Sequence, residues 1–317
     1  MIEKTPPPKT KYRVNNWPAY NASLAQRGSI TLWISEEVIE EWKAKPTGKR
    51  GGQKVYSDLA IECLLTLRSV YHLPLRATQG FAQSLFQLMG LSLPVPDYTT
   101  LSRRAVELKI NLPRQEKGSA HIVVDSTGLK IYGEGEWKVR QHGYSKRRTW
   151  RKLHLAIDEL SHEIQAIVLS EADLADADAV DDLLDEVETP IKQFSGDGSY
   201  DKRKVYNACE DRGIEKVTVP PRKDAVFWEE SGDLSTAHPR NDNLKRIHTI
   251  GRDAWKHESG YHRRSLAETG MFRFKTIFGN HLQSRVLARQ ITEARVKCAA
   301  LNRMTHLGMP ESYPVVE

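Results

Sequence analysis

Tyr261, Arg264, Glu268 and Lys275 stand at offsets of 0, 3, 7 and 14 along the run Tyr-His-Arg-Arg-Ser-Leu-Ala-Glu-Thr-Gly-Met-Phe-Arg-Phe-Lys. On a helix turning roughly 100° per residue they share a stripe about 60° wide. Leu266, Met271 and Phe274 point elsewhere, so the same helix can pack and still present a polar edge. A carboxylate between two cations and a phenol suits phosphodiester chemistry, with Glu268 on a metal ion and Tyr261, Arg264 and Lys275 on phosphate. The plainer alternative is a solvated face on which Arg264 and Glu268 pair one helical turn apart.

Two aspartates can join Glu268. Asp125 ends the apolar run His-Ile-Val-Val-Asp. An unpaired carboxylate buried there is costly, so it needs a partner. Asp197 lies in Ser195-Gly-Asp-Gly-Ser-Tyr-Asp201, where glycines on each side let the backbone turn and leave the carboxylate open to ligands. Taken singly, either also reads as an ordinary turn or cap aspartate.

The elements that must position these groups are legible as patterns. Ser57 caps a helix with Leu59, Cys63 and Leu67 on one face, and Pro74 ends it. A second helix runs from about Leu75 to Met89 with Gly90 as its stop, and a third follows Pro96-Asp97 and carries Arg103 and Arg104. Three short helices, the last basic, suit a helix-turn-helix-like module in which Arg103 and Arg104 meet DNA. An all-α packing domain with a solvated Arg pair is the alternative. From His121 the pattern turns to strands, with a turn at Gly128 and a continuation from Lys130 to Gly133. A hairpin follows around Ser161-His162, then a strand into Gly196, a helix from Asp201 to Arg212, and a strand at Val217. Helices from about Tyr261 to Ile277 and Ser284 to Met304 close an α/β layout. This divides the chain into a basic N-terminal segment (1–54, its first 14 residues mobile), a helical unit (55–115), a catalytic unit (116–280, with 222–258 irregular) and a C-terminal helical extension (281–317).

Lys138 to Lys152 holds seven Lys and Arg and no acidic residue, with Trp137, Tyr144 and Trp150 interleaved. It reads as a DNA-backbone surface built from Lys138, Arg140, Lys146, Arg147, Arg148, Arg151 and Lys152, or else as a solvated hairpin tip. The stretch 171–188 holds nine acidic and no basic residues, too evenly spread to single out a metal ligand, and reads as a solvated face. Asp158 is set aside for the same chemistry. His142, His154, His248, His257 and His262 have no ligand spacing, and Trp228 and Trp255 read as core residues or base-stacking groups.

A net charge of +6 and a pI near 9.1 favour an acidic partner. Cys63, Cys209 and Cys298 are sparse and follow no zinc pattern, which suits a reducing cytoplasm. No signal peptide or membrane span is legible.

Tyr-x2-Arg-x3-Glu-x6-Lys is the signature around the third acidic residue of DDE transposases of bacterial insertion sequences, and this chain matches all four positions. The rest resembles the IS-five family, in particular its nine-hundred-and-three subgroup. The stretches that carry the likeness include Asn16-Trp-Pro-Ala-Tyr-Asn21, Met89-Gly-Leu-Ser-Leu, Gly133 to Gly143, Trp150-Arg-Lys-Leu-His-Leu-Ala and Leu307-Gly-Met-Pro310. The usual Asp-Gly-Ala-Tyr-Asp stands here with Ser199 for alanine.

The resemblance implies an RNase H-like catalytic domain with a mixed five-stranded sheet and flanking helices, preceded by an α-helical DNA-binding domain. It places the acidic residues on the first strand, at the end of the fourth and on a later helix. Oxygen-only ligands and phosphate substrates point to two Mg²⁺ ions, with Mn²⁺ as substitute, bridged by Asp125 and held by Asp197 and Glu268. The implied reaction binds terminal inverted repeats, nicks the element ends and joins the 3′-OH to target DNA without a covalent enzyme intermediate. Synapsis of two ends implies a homodimer or larger assembly. A catalytically silent DNA-binding repressor and an RNase H-like nuclease remain as alternatives.

Overall fold

A computed structural model describes residues 11–46, 48, 50–114, 120–131, 150–228 and 238–315. The chain opens with β1 (Lys11–Val14), α1 (Trp17–Gln26), α2 (Glu36–Glu40), α3 (Asp58–Val70), α4 (Leu75–Leu88) and α5 (Tyr98–Arg104). The Ser57 hydroxyl accepts the Ala60 N–H at the head of α3, and Asp97 accepts those of Thr99 and Thr100 at the head of α5. Ser57 is therefore the cap expected of it, and Gly90, with φ of 67°, follows α4.

The central sheet contains β2 (Ala120–Ile131), β3 (Trp150–Asp158), β4 (Ile164–Glu171), β5 (Ile191–Ser195) and β6 (Lys216–Thr218), in the order β4-β3-β2-β5-β6. β2, β3 and β4 are antiparallel neighbours, while β5 and β6 run parallel beside β2. A short β7 (His281–Leu282) adds a sixth strand by pairing with the far end of β2. β2 is one continuous strand through Gly128, not two strands about a turn. Its glycine serves close packing instead, because a Cβ there would stand 3.2 Å from the Trp150 ring.

Alternation along β2 sends its side chains to two cores. Val123 and Leu129 join α10 (Ser265–Phe278), α11 (Leu287–His306) and the N-terminal helices in one apolar cluster. Ile122 and Val124 join α6 (Val180–Asp185), α7 (Arg203–Glu210) and Tyr200 in the other. Asp125 thus lies on the α10 face and Ser126 on the opposite one. On the α10 face, a Cβ on Gly270 would overlap Ile157 Cδ1, so this glycine lets the helix lie close on β3.

Two further expectations are corrected. Residues 222–258 are not irregular throughout: α8 (Pro239–Ile250) and α9 (Arg252–Glu258) occupy most of the described part. Only Leu244, Ile247 and Trp255 are buried apolar groups there, too few to print a helical period. The anchors are polar. Arg240 forms an ion pair with Asp201 at 2.8 Å, both side chains buried, and Asn241 bonds both the N–H and the carbonyl of Trp228. Likewise, Lys11–Val14 is not loose but pairs antiparallel with β8 (Ser312–Val315). Two mostly exposed strands from opposite ends of the chain leave no local signal.

Candidate active site

Asp125 sits inside β2, two residues beyond Val123, the last β2 residue paired with β5. Its Oδ1 accepts the Ser126 N–H at 2.8 Å. Its Oδ2 lies 4.0 Å from Arg264 Nη1. Burial raises the Asp125 carboxyl above the ordinary aspartate range, and Asp197 and Glu268 push the same way against the Ser126 N–H and Arg264.

Arg264 and Glu268 come from the start of α10. The expected single helix from Tyr261 instead begins with a tight 3₁₀ turn, Tyr261–Arg264, entered through left-handed Gly260 at φ of 72°. Arg264 still reaches Glu268, to which its Nη2 donates. Its guanidinium also lies 5.8 Å from the Tyr261 ring centroid. Tyr261 in turn tilts against the buried Trp255 at 6.0 Å between rings. Half-buried Lys275 follows two helical turns after Glu268.

Asp197 caps the 3₁₀ turn Gly198–Tyr200, its Oδ1 accepting the Ser199 N–H at 2.8 Å. Gly196 is needed for space rather than for an unusual backbone angle: a Cβ there would sit 2.7 Å from the Tyr200 ring. Tyr200 is buried, and its hydroxyl has no hydrogen-bond partner among the described residues. Burial raises that phenol, reinforced by Asp176, Asp125 and Asp197.

Asp125, Asp197 and Glu268 are therefore brought into one electrostatic neighbourhood, with Arg264 between Asp125 and Glu268. Among the described residues no three His, Cys, Asp or Glu side chains close into a ready metal cage. The Arg264 guanidinium already supplies positive charge where the carboxylates meet. The donor set nonetheless fits a hard divalent ion: three carboxylates, no sulfur and no imidazole. The Asp125 carboxyl is raised chiefly by burial, with Asp197 and Glu268 adding less, and a cation beside it would favour its charged form.

The basic residues separate into groups. Lys138, Arg140, Lys146, Arg147 and Arg148 lie outside the described residues. Arg151 is tied to Glu171 and to Gln290 Oε1 at 3.0 Å. Lys152 donates to the Leu174 carbonyl at 2.7 Å and pairs with Asp176 at 3.2 Å. Arg104 donates to the Tyr56 carbonyl and pairs with Asp58 at the head of α3. Arg103 is exposed and lines an open depression with Arg76 and Arg285.

Asp158 caps the Leu160 and Ser161 N–H groups in the β3–β4 turn. Trp228 packs on Arg240, Tyr206 and His238, and Trp255 donates to Asn243 Oδ1 at 3.3 Å, so both are packing residues. Two residues that the structure ties to the candidate site or its motif were missed by sequence reasoning. Asp176, in the acidic stretch, is turned inward onto Ser126 and Lys152. Asp201, the last residue of the Asp197 motif, anchors α8 through Arg240.

Comparison with known proteins gives two family matches, each described as Transposase DDE domain, over residues 25–134 and 116–303. The second spans more than half of the 317 residues. Among solved structures, a piggyBac transposase synaptic complex with hairpin DNA is 10% identical, with 89% of this chain and 76% of that chain covered and a TM-score of 0.42.

Proposed function

The chain belongs to the family of transposase DDE domains, a class of metal-dependent DNA-cleaving enzymes, and from that premise we propose that it is the transposase of an insertion sequence with Asp125, Asp197 and Glu268 as its metal ligands. The observation that carries the reading is the meeting of Asp125 and Glu268 on one guanidinium, Arg264, with Asp197 in electrostatic range.

Asp125, Asp197 and Glu268 would together hold two Mg²⁺ ions, with Mn²⁺ as substitute. When bound, the ions supply activation of the attacking oxygen and neutralisation at the leaving oxygen. Arg264 balances the carboxylates and, with Lys275 and Tyr261, faces the phosphate. Trp255 beneath Tyr261 stiffens that contact. Fixed cations beside the reacting phosphate lower the barrier without reorganising during the reaction.

The order β4-β3-β2-β5-β6, with an antiparallel trio beside a parallel pair, supports an RNase H-like domain. The sequence likeness supports the nine-hundred-and-three subgroup of the IS-five family. Substrates in this reading are terminal inverted repeats and target DNA, held by a homodimer or larger assembly in the cytoplasm. The helical unit contributes to DNA contact through Arg103, whose neighbours Arg76 and Arg285 make the depression they line basic. Arg151 and Lys152 serve the fold first. The five basic residues at 138–148 remain the proposed backbone surface.

The test incubates the protein with labelled terminal-repeat DNA, target plasmid and Mg²⁺. The reading predicts nicked ends followed by joined product. Cleavage without joining would indicate a nuclease, and binding without cleavage a repressor; either outcome contradicts the proposal.

A further inference from the structure

Backbone pairing does not fix the two aspartates against each other. β2 and β5 are paired in parallel only as far as Val123 and Ser195. Asp125 and Asp197 each lie two residues past that last pair, so something else must hold their spacing.

Asp176 spans the gap. It opens the 3₁₀ turn Asp176–Ala179, which follows β4. Its Oδ1 accepts from Ser126 Oγ at 2.7 Å, and its Oδ2 lies 3.5 Å from Ser199 Oγ, whose single proton it shares with the nearer Asp197 Oδ1. Ser126 is also the residue whose N–H donates to Asp125 Oδ1 at 2.8 Å. Ser199 donates to Asp197 Oδ1 from its N–H at 2.8 Å. Each aspartate is thus joined to Asp176 through one serine.

Asp176 is itself held. Lys152 Nζ lies 3.2 Å from Oδ1 and is fixed from behind by the Leu174 carbonyl. The buried His154 Nδ1 stands 3.9 Å from the same oxygen. Of the nine acidic residues in 171–188, Asp176 is the one met by Ser126, Ser199 and Lys152.

We propose that Asp176 is a positioning residue, a bracket that sets the separation of Asp125 and Asp197 through Ser126 and Ser199. The proposal rests on the reading of those two aspartates as metal ligands. Asp176 touches neither metal nor substrate in this account. Groups that orient metal ligands in this way typically carry a 10- to 100-fold effect on metal affinity.

The test measures Mn²⁺ binding to the full-length, DNA-free protein by calorimetry, with thermal melting alongside. Asp176→Ala is expected to weaken binding by about 10-fold or more. Asp176→Asn can still accept from Ser126 and bond Ser199, so it should restore most of that loss despite lacking the charge. Wild-type affinity in Asp176→Ala overturns the proposal. Equal losses in both variants overturn it too, because charge rather than bridging would then be responsible. Should Asp176→Ala fail to fold, the double variant Ser126→Ala/Ser199→Ala keeps Asp176 and its Lys152 pair. The double variant must show the same weakening, and wild-type binding by it overturns the bracket. Asp197→Asn serves as the control. If it binds Mn²⁺ as wild type does, the ligand assignment has failed and not the bracket.

Discussion

At the scale of single residues, Glu268 is the proposed metal ligand on which the fold depends least. Its carboxylate is half exposed and bonded to Arg264, so nothing in the fold depends on its charge. Glu268→Gln keeps the shape and a hydrogen-bond acceptor for Arg264. It should leave the melting temperature nearly unchanged while lowering cleavage by on the order of 10³-fold, the equivalent of about 4 kcal/mol at the transition state. A single-turnover nicking assay beside a melting curve measures both quantities. Glu268 and Asp197 were legible because a helical stripe and a glycine-flanked turn are local patterns. Asp125 was legible only as a polar residue on an apolar strand. Asp176 was not legible at all, because its partners Ser126, Lys152 and Ser199 come from three other elements.

At the scale of elements, α10 carries Glu268 to the sheet, and Gly270 sets how close it comes. Gly270→Ala gains about 1 kcal/mol of helix propensity. It also forces a methyl against the buried Ile157, and overpacking of that kind costs about 1–3 kcal/mol. The clash should win, so urea denaturation is expected to show a net loss of stability, with reduced cleavage because Glu268 shifts with its helix. On β3, burial and Lys152 push the His154 imidazole down to about 4, with Asp176 opposing. The unfolded chain then binds a proton below pH ~6.5 that the folded chain refuses until pH ~4. The contribution to stability is therefore full above pH ~6.5 and is lost progressively as pH falls toward ~4. His154→Gln should flatten the fall in stability between pH 7 and 5, read from paired urea titrations. The strands and capped helices were legible through period and caps. The pair α8 and α9 was not, since buried polar bonds rather than an apolar stripe hold it.

At the scale of the molecule, one apolar cluster runs from Trp33 and α3 through β2 and β3 to Phe274 and α11. The N-terminal helices therefore share a core with the central sheet. Thr292 Oγ1 on α11 donates to the Ala105 carbonyl at 2.6 Å and Asn302 Nδ2 to that of Pro113 at 3.0 Å, binding the two parts across the chain. Unfolding followed by tryptophan fluorescence and by far-ultraviolet circular dichroism should give coincident single transitions. Two separated transitions would show that the helical part folds on its own. The sequence pattern divided the chain by element type, and a change from helices to strands marks a change of layer rather than a break in the core. No helix among the described residues is long and apolar enough to cross a membrane. The net charge of +6 suits a polyanionic partner.

The central claim is that Asp125, Asp197 and Glu268 form one metal-dependent DNA-cleaving site. The most direct measurement is nicking of labelled terminal-repeat DNA by the wild type and by Asp125→Asn, Asp197→Asn and Glu268→Gln, across a titration of Mg²⁺ and of Mn²⁺. The account predicts nicking that requires the added metal and is nearly abolished in each variant, with all three still folded and still bound to DNA. Metal-dependent nicking that survives in any one of the three would contradict it.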